Sequence, residues 1–253
     1  MDPPEHRQHR GLVSRHFTPK MMRMLEEHFD ELSEDYVSRF ADVLVARLVD
    51  KGDAGVVDFV HELAAKLPVA AICEMAGIPK QDWDQIFQWT ETLGGATDAE
   101  YRRRGETREQ TIRRNSQEWR AYNEALFARR RAEGLGDDLL STLLAAEIDG
   151  EPLTEREISS YFRLLLAAGN ETTRNSITGG VQALLLHPEQ LDWLVSDESM
   201  VPSAVEEMLR WTSVVIQFQR TAVEDVELRG TTIRKGESVV VWYPSANRDE
   251  EIF

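Results

Sequence analysis

The chain has 253 residues, 42% of them apolar and 29% charged, a balance that suits a globular protein of one large domain or two small ones. Its formal net charge of −16 argues against general binding to nucleic acid, and it has no run of apolar residues long enough to span a membrane. The single cysteine, Cys73, excludes an internal disulfide and a cysteine-based zinc cluster, and with no basic-then-apolar leader in view the expectation is a cytoplasmic protein.

The elements follow in chain order. Between Met1 and Met24, Asp2 and Glu5 stand against Arg7, Arg10, Arg15, Lys20 and Arg23, with His6, His9 and His16 among them. This stretch reads either as a solvated amphipathic helix or as an anion site, because Arg and His offer several donors to carboxylate or phosphate oxygens. No acid or cysteine completes a metal ligand set there. Met22, Leu25, Phe29, Leu32, Tyr36, Phe40, Val43 and Leu44 recur at helical spacing and predict a long helix over 18–52. "DFVHELAAKLPVAAICEMAGIP" reads as two helices broken at Pro68 and closed by Gly77–Pro79. "KQDWDQIFQWTETLGG" is a helix ended by Gly94 and Gly95, "EQTIRRNSQEWRAYNEALFARRRAEG" is long and amphipathic, and "DDLLSTLLAAEIDG" is shorter. A helix from the N-cap Thr154 to Leu186 follows, about 45 Å long at 1.5 Å per residue. "HPEQLDWLVSD" and "MVPSAVEEMLRW" give two more. After Trp211 the texture turns β-branched, with Gly230 and Gly236 as punctuation, and predicts two or three strands. Helices followed by a small sheet make a single, mainly α domain.

The centre of the long helix is unusual. Gly169, Asn170, Glu171, Thr172 and Thr173 interrupt an apolar run. A helical glycine costs about 1 kcal/mol against alanine, and a buried carboxylate costs more unless paired. One reading is an exposed polar face. The other is a gap at Gly169 that admits a flat or bulky ligand, with Glu171 and Thr172 beside it as a proton-delivery device. The Thr172 hydroxyl can serve that ligand or bond back to the carbonyl four residues earlier. Glu207 and Arg210, three apart in "EEMLR", and Glu206 and Arg210, four apart, read as helix-face pairs worth about 0.2–0.5 kcal/mol each. Cys73, among Val69, Ala70, Ala71, Ile72 and Met75, reads as a buried small hydrophobe.

Five stretches occur in order: "DPPEHRQHRGLVSRHFTP", "AAGNETT", "EEMLR", "FQRTA" and "PSANRDEEIF". Along its whole length the chain resembles a cytochrome P-450, a haem-thiolate monooxygenase of the soluble bacterial type. The resemblance implies a mainly α, incomplete cytochrome P-450 fold over 1–253, a single truncated domain running roughly from helix C through the β-region after helix K. The long helix would be helix I, crossing haem b and its iron, with a small sheet near the C-terminus. Ala168 and Gly169 would face the oxygen site, Thr172 would hydrogen-bond the bound oxygen and Glu171 would relay protons. His6, Arg10 and Arg220 would hold the haem propionates, and Glu207 and Arg210 would be structural. Val214 stands where the family usually has a proline, and Val214, Val215 and Ile216 would line the substrate pocket. "AGNETTRNSIT" with "FQRTA" is similar to actinobacterial hydroxylases of cholesterol side chains and branched lipids, which implies a hydrophobic small-molecule substrate, a sterol side chain among them. With no flavin or nicotinamide motif, the electrons would come from a ferredoxin-type donor steered to the basic segment.

The family's iron ligand is a cysteine in a Phe-Gly-x-Gly-x-His-x-Cys loop. This sequence contains no such loop, so the resemblance implies that the axial thiolate and the N-terminal region are absent and that the chain as written is inactive. The competing class is a haem-free helical binding or scaffold protein whose histidine-rich basic segment binds an acidic partner.

Overall fold

A computed structural model describes residues 2–51, 56–95 and 98–253, without the side chains at 24, 27, 28, 47–51 and 94. The expected helix end at Gly52 lies outside the described residues. The chain forms two compact units, Met1–Arg174 and Asn175–Phe253, and the division falls within one long helix.

Unit 1 begins with α1 (Glu5–Val13) and α2 (Pro19–Lys51). Met22, Leu25, Phe29, Leu32, Tyr36, Phe40, Val43 and Leu44 are all half-buried, so the stripe read from the sequence is the one α2 packs with. Before α3 (Lys66–Met75) the chain makes one π-helical turn, Val60–Ala64. The break therefore precedes Pro68 instead of falling on it. Pro68 sits in the first turn of α3, where a missing N–H forfeits no intrahelical bond. α4 (Trp83–Gly94) and α5 (Arg108–Glu133) follow, the latter opened by a capping box between Thr107 and Gln110. α6 (Leu139–Leu144) is capped by Asp138, whose Oδ1 accepts from the Ser141 N–H at 2.7 Å.

An antiparallel pair, β1 (Glu147–Ile148) with β2 (Glu151–Pro152), was not among the predicted elements. Asp149 and Gly150 turn it with φ of 54° and 84°, the conformation for which Asp-Gly is the sequence signal. The long helix, α7 (Glu155–Leu186), starts where expected. Thr154 accepts from the Glu157 N–H at 3.3 Å while Glu157 Oε2 accepts from the Thr154 N–H at 2.8 Å. The core of unit 1 gathers Val69, Ile72 and Cys73 of α3, Ile86 and Trp89 of α4, Trp119 and Phe127 of α5, and Leu139, Leu140 and Leu143 of α6. α7 adds Ile158, Phe162 and Leu166.

Unit 2 takes the last turns of α7, then α8 (Pro188–Ser196) and α9 (Val201–Thr212). A Cβ on Gly180 would come within 2.8 Å of Met208 Sδ, so glycine there lets α9 lie close against α7. The strands number four, not two or three, and make two separate antiparallel pairs. β3 (Gln217–Thr221) lies beside β6 (Ser238–Trp242), with Arg220 opposite Val239, and β4 (Val226–Leu228) beside β5 (Thr231–Ile233). A short α10 (Tyr243–Ala246) follows β6. No apolar side chain of unit 2 is buried, and Trp193, Phe218 and Trp242 are each more than half exposed.

Candidate functional site

In unit 1, α7 has two faces. Ile158, Phe162, Leu166 and Asn170, four residues apart along the helix, are almost wholly buried. Leu164, Ala168 and Thr172, also four apart, are exposed, Leu164 by 60%. The row of odd residues at the helix centre is thus divided: Asn170 belongs to the core, while Glu171, Thr172 and Thr173 face outward. Gly169 lies between. A Cβ there would meet Ile72 Cγ1 at 3.3 Å, so within unit 1 the space left by the glycine is taken by α3. The Thr172 hydroxyl donates to the Ala168 carbonyl at 2.7 Å, the local back-bond weighed from sequence.

Asn170 is what a helix with a polar residue on its buried face requires. Its Nδ2 donates to Thr90 Oγ1 at 2.9 Å. The next residue of α4, Glu91, meets Arg174 of α7, and Tyr101 donates to Glu91 Oε2 at 2.9 Å. From α5, Asn115 Nδ2 donates to the Trp89 carbonyl at 3.0 Å. Residues 89–91 are therefore held by polar groups from α5 and α7 in succession. Glu171 is 3.9 Å from Arg174 Nη2.

α1 is fixed against α7 by the Tyr161 hydroxyl, which donates to the His9 carbonyl at 2.9 Å, two turns before Ala168. Gln8 Nε2 adds a fork to the Asp149 carboxylate at 3.0 and 3.2 Å. His6 and Arg10 are exposed, stand four apart on one face of α1, and have no hydrogen-bond or ion-pair partner among the described residues. Arg15 differs: it reaches Thr142 Oγ1 at 2.7 Å and Asp137 at 3.6 Å. Buried His16 shares the Thr142 hydroxyl at 2.7 Å, and burial first, then the Arg15 charge, hold its pKa below the ordinary value. No group of three or more His, Cys, Asp or Glu that could hold a metal occurs among the described residues.

In unit 2 the structure brings Glu207 and Arg210 together and leaves Glu206 aside. Arg210 Nε and Nη2 each reach a Glu207 oxygen at 2.6 Å, a bidentate fork, and Nη1 donates to the Asn247 carbonyl at 2.5 Å. Hydrogen bonding from Arg210 depresses the Glu207 carboxyl pKa. Asn247 closes the set by donating to Ser213 Oγ at 3.0 Å. Val214 is half-buried and Val215 and Ile216 are exposed, in the link from α9 to β3. Arg220, in β3, donates to the Gln219 carbonyl at 3.0 Å and lies over the Phe218 ring.

The one thiol is no metal ligand in this setting. Cys73 is fully buried in the core of unit 1, and desolvation pushes its pKa far above the ordinary thiol value.

Residues 54–253 match the sequence profile of the family described as Cytochrome P450. The chain belongs to the cytochrome P450 family. It is 43% identical to a methyl-branched lipid omega-hydroxylase of Mycobacterium tuberculosis, over all of this chain and 56% of that protein. It is 38% identical to a steroid C26-monooxygenase of Rhodococcus jostii, over all of this chain and 49% of that one. Among solved structures, a Mycobacterium marinum cytochrome P450 in complex with pseudoionone superposes with a TM-score of 0.87 at 37% identity, covering all of this chain and 58% of that one. The chain thus spans about half the length of the relatives it matches.

The residues present fit haem on two counts. The open face of α7 at Leu164 and Ala168 is apolar on a helix whose other face is core, a suitable seat for a flat apolar ring. His6 and Arg10, with no hydrogen-bond or ion-pair partner among the described residues, offer N–H donors that suit its carboxylates. On a third count the fit fails, because no available thiolate exists among these residues. Sequence reasoning missed Asn170, Thr90, Glu91, Tyr101 and Arg174 as a set. Only the continuation of the buried row Ile158, Phe162, Leu166 to position 170 could have signalled Asn170 as a core polar group.

Proposed function

We propose that the chain carries the distal, oxygen-side half of a haem-dependent monooxygenase that inserts one atom of dioxygen into a C–H bond of a hydrophobic substrate. The observation that carries this reading is the open face of α7, with Leu164, Ala168 and Thr172 aligned opposite a buried face. Haem, when bound, supplies the iron at which dioxygen is activated. His6 and Arg10 from α1 and Arg220 from β3 bind its propionates. Ala168 and Gly169 border the oxygen site. Thr172 offers its hydroxyl there by exchanging the bond to the Ala168 carbonyl, and Glu171, exposed beside it, passes protons from solvent. Glu207 and Arg210 act structurally, by fixing Asn247 after α10.

Val214, Val215 and Ile216 line the substrate pocket. The kinship with lipid and steroid hydroxylases supports a branched lipid or sterol side chain as the substrate class. A ferredoxin-type donor supplies electrons, docking on the basic segment around Arg7, Arg10 and Arg15. The protein acts, on this reading, in the cytoplasm. No described helix is long and apolar enough to cross a membrane.

These residues alone give no thiolate-type spectrum and no turnover, because Cys73 stays protonated in the core. That same observation favours the second reading, a haem-free helical binding protein. Haemin addition separates the two. A saturable Soret band of imidazole or water-ligated type, unchanged in Cys73→Ser, supports the first. Absence of any saturable band leaves the second. A thiolate-type reduced carbon-monoxide spectrum that disappears in Cys73→Ser would overturn the account of Cys73.

A further inference from the structure

Two carboxylates compete for the Arg174 guanidinium. Glu91 Oε1 holds Nη1, and both side chains are more than four-fifths buried, at 13% and 16% exposed. Glu171 Oε1 lies 3.9 Å from Nη2, and its side chain is 55% exposed. Attraction between opposite charges is stronger where water is excluded. The guanidinium therefore stays with Glu91. It is a planar, rigid fork, so fixing one nitrogen fixes the other, and Nη2 is kept at the edge of ion-pair range from Glu171. Tyr101, in the segment after α4, engages the second oxygen of Glu91 at 2.9 Å. Both Glu91 oxygens are thus occupied, and α4 and the following loop grip α7 at Arg174, two residues beyond Thr172.

We propose that Glu91 is a positioning residue for Glu171: by retaining Arg174 it keeps the Glu171 carboxylate only loosely engaged and free to rotate. A proton relay needs that freedom, because it must take a proton on one side and release it on another. The inference rests on the reading of Glu171 as the relay. A neutral residue at 91 removes the closer of the two carboxylates. Arg174 then closes on Glu171, its neighbour at i,i+3 on the same helix, and ties the carboxylate down. Tyr101 is the second link, since it orients Glu91. Movement of residues 98–102 would change the hold on Arg174 and, through it, the state of Glu171.

The test needs neither haem nor turnover, so its failure is distinct from a failure of the monooxygenase reading. The whole chain is isotope-labelled at the glutamate carboxyl carbons, and the Glu171 signal is assigned by its loss in Glu171→Gln. In Glu91→Gln that signal is expected to move. In Glu91→Gln with Arg174→Gln it returns to the parent position, which a merely structural anchor at 91 would not produce. Tyr101→Phe moves it in the same direction by less. The signal of Glu155, which pairs with Arg131 at the start of α7, stays in place and reports an intact fold. A Glu171 signal that does not move in folded Glu91→Gln, or that stays equally displaced in the double variant, overturns the proposal. Should Glu91→Gln disturb Glu155 as well, Tyr101→Phe decides, and an unmoved Glu171 signal there overturns it.

Discussion

Asn170 Nδ2 donates to Thr90 Oγ1 at 2.9 Å in the core of unit 1, and Thr90 passes its own proton to the Phe87 carbonyl at 2.9 Å. A side chain from the middle of α7 thereby completes a hydrogen-bonded chain in α4. This is why a helix that displays Glu171, Thr172 and Thr173 to the outside still carries an amide among its apolar residues. The polar stretch is two structures overlaid: one residue turned in to lock the helix, three turned out.

Asn170→Ala removes the donor and leaves a small cavity. The expected loss is about 2 kcal/mol of unfolding free energy, from the lost hydrogen bond and packing together, read from a urea transition. Asn170→Asp should lose more, since a carboxylate at this buried position is stripped of water and no longer donates to Thr90 Oγ1. Equal stability of the Asp variant and the parent would contradict this account of the α4–α7 contact.

Gly169 is held by close packing against Ile72. Alanine there would gain helix propensity of about 1 kcal/mol, yet its Cβ would press on Ile72 Cγ1 at 3.3 Å and Cδ1 at 3.4 Å. The two changes should therefore couple. Gly169→Ala is expected to be more stabilising, by about 0.5–1 kcal/mol, in an Ile72→Val background than in the parent. Strict additivity in a double-mutant cycle would show that Ile72 does not limit this position.

His16 gives the fold a pH dependence of definite sign. It is buried, and Arg15 Nε donates to its Nε2 at 3.3 Å, which assigns the neutral ring with Nε2 as acceptor. Its folded pKa lies below the ordinary value of 6.5. Below that value the unfolded chain takes up a proton that the folded chain refuses, so stability falls as pH drops from 6.5 toward the folded pKa. The contribution is fully present above 6.5. Urea midpoints between pH 7.5 and 5.5 should show this slope, and His16→Gln should flatten it. An unchanged slope in the variant would assign the effect elsewhere.

Arg210 makes three hydrogen bonds with one guanidinium, two to Glu207 and one to the Asn247 carbonyl. A lysine can keep the charge but not the fork. Arg210→Lys should lower the urea midpoint of unit 2 and expose the segment after α10 to protease. Recovery of the parent midpoint by lysine would reduce the motif to a plain ion pair.

Much of this was legible in the sequence because periodicity and caps are local. The α2 stripe, the Thr154 start of α7 and the Glu207–Arg210 pair each depend on spacing within one helix. The β1–β2 turn was legible too, through Asp149-Gly150, and was passed over because its strands are two residues each. Glu91, Tyr101 and Arg174 were not legible. Arg174 is far from the other two in sequence, each is an ordinary surface residue type, and only the packing of α4 on α7 brings them together as a half-buried set. Gly169 shows the same limit from the other side. A glycine announces that something comes close, and only the fold says that in unit 1 it is Ile72.

The central proposal is that His6 and Arg10 of α1 and Arg220 of β3 bind haem propionates in a monooxygenase. Haemin titration of the parent chain and of Arg10→Gln, Arg220→Gln and Cys73→Ser, followed in the Soret region, tests it most directly. Loss of one charge-assisted hydrogen bond is worth about tenfold or more in affinity. The account predicts saturable binding that weakens by about that factor in each arginine variant and stays unchanged in Cys73→Ser. Binding that is equally tight in both arginine variants, or no saturable binding at all, would contradict it.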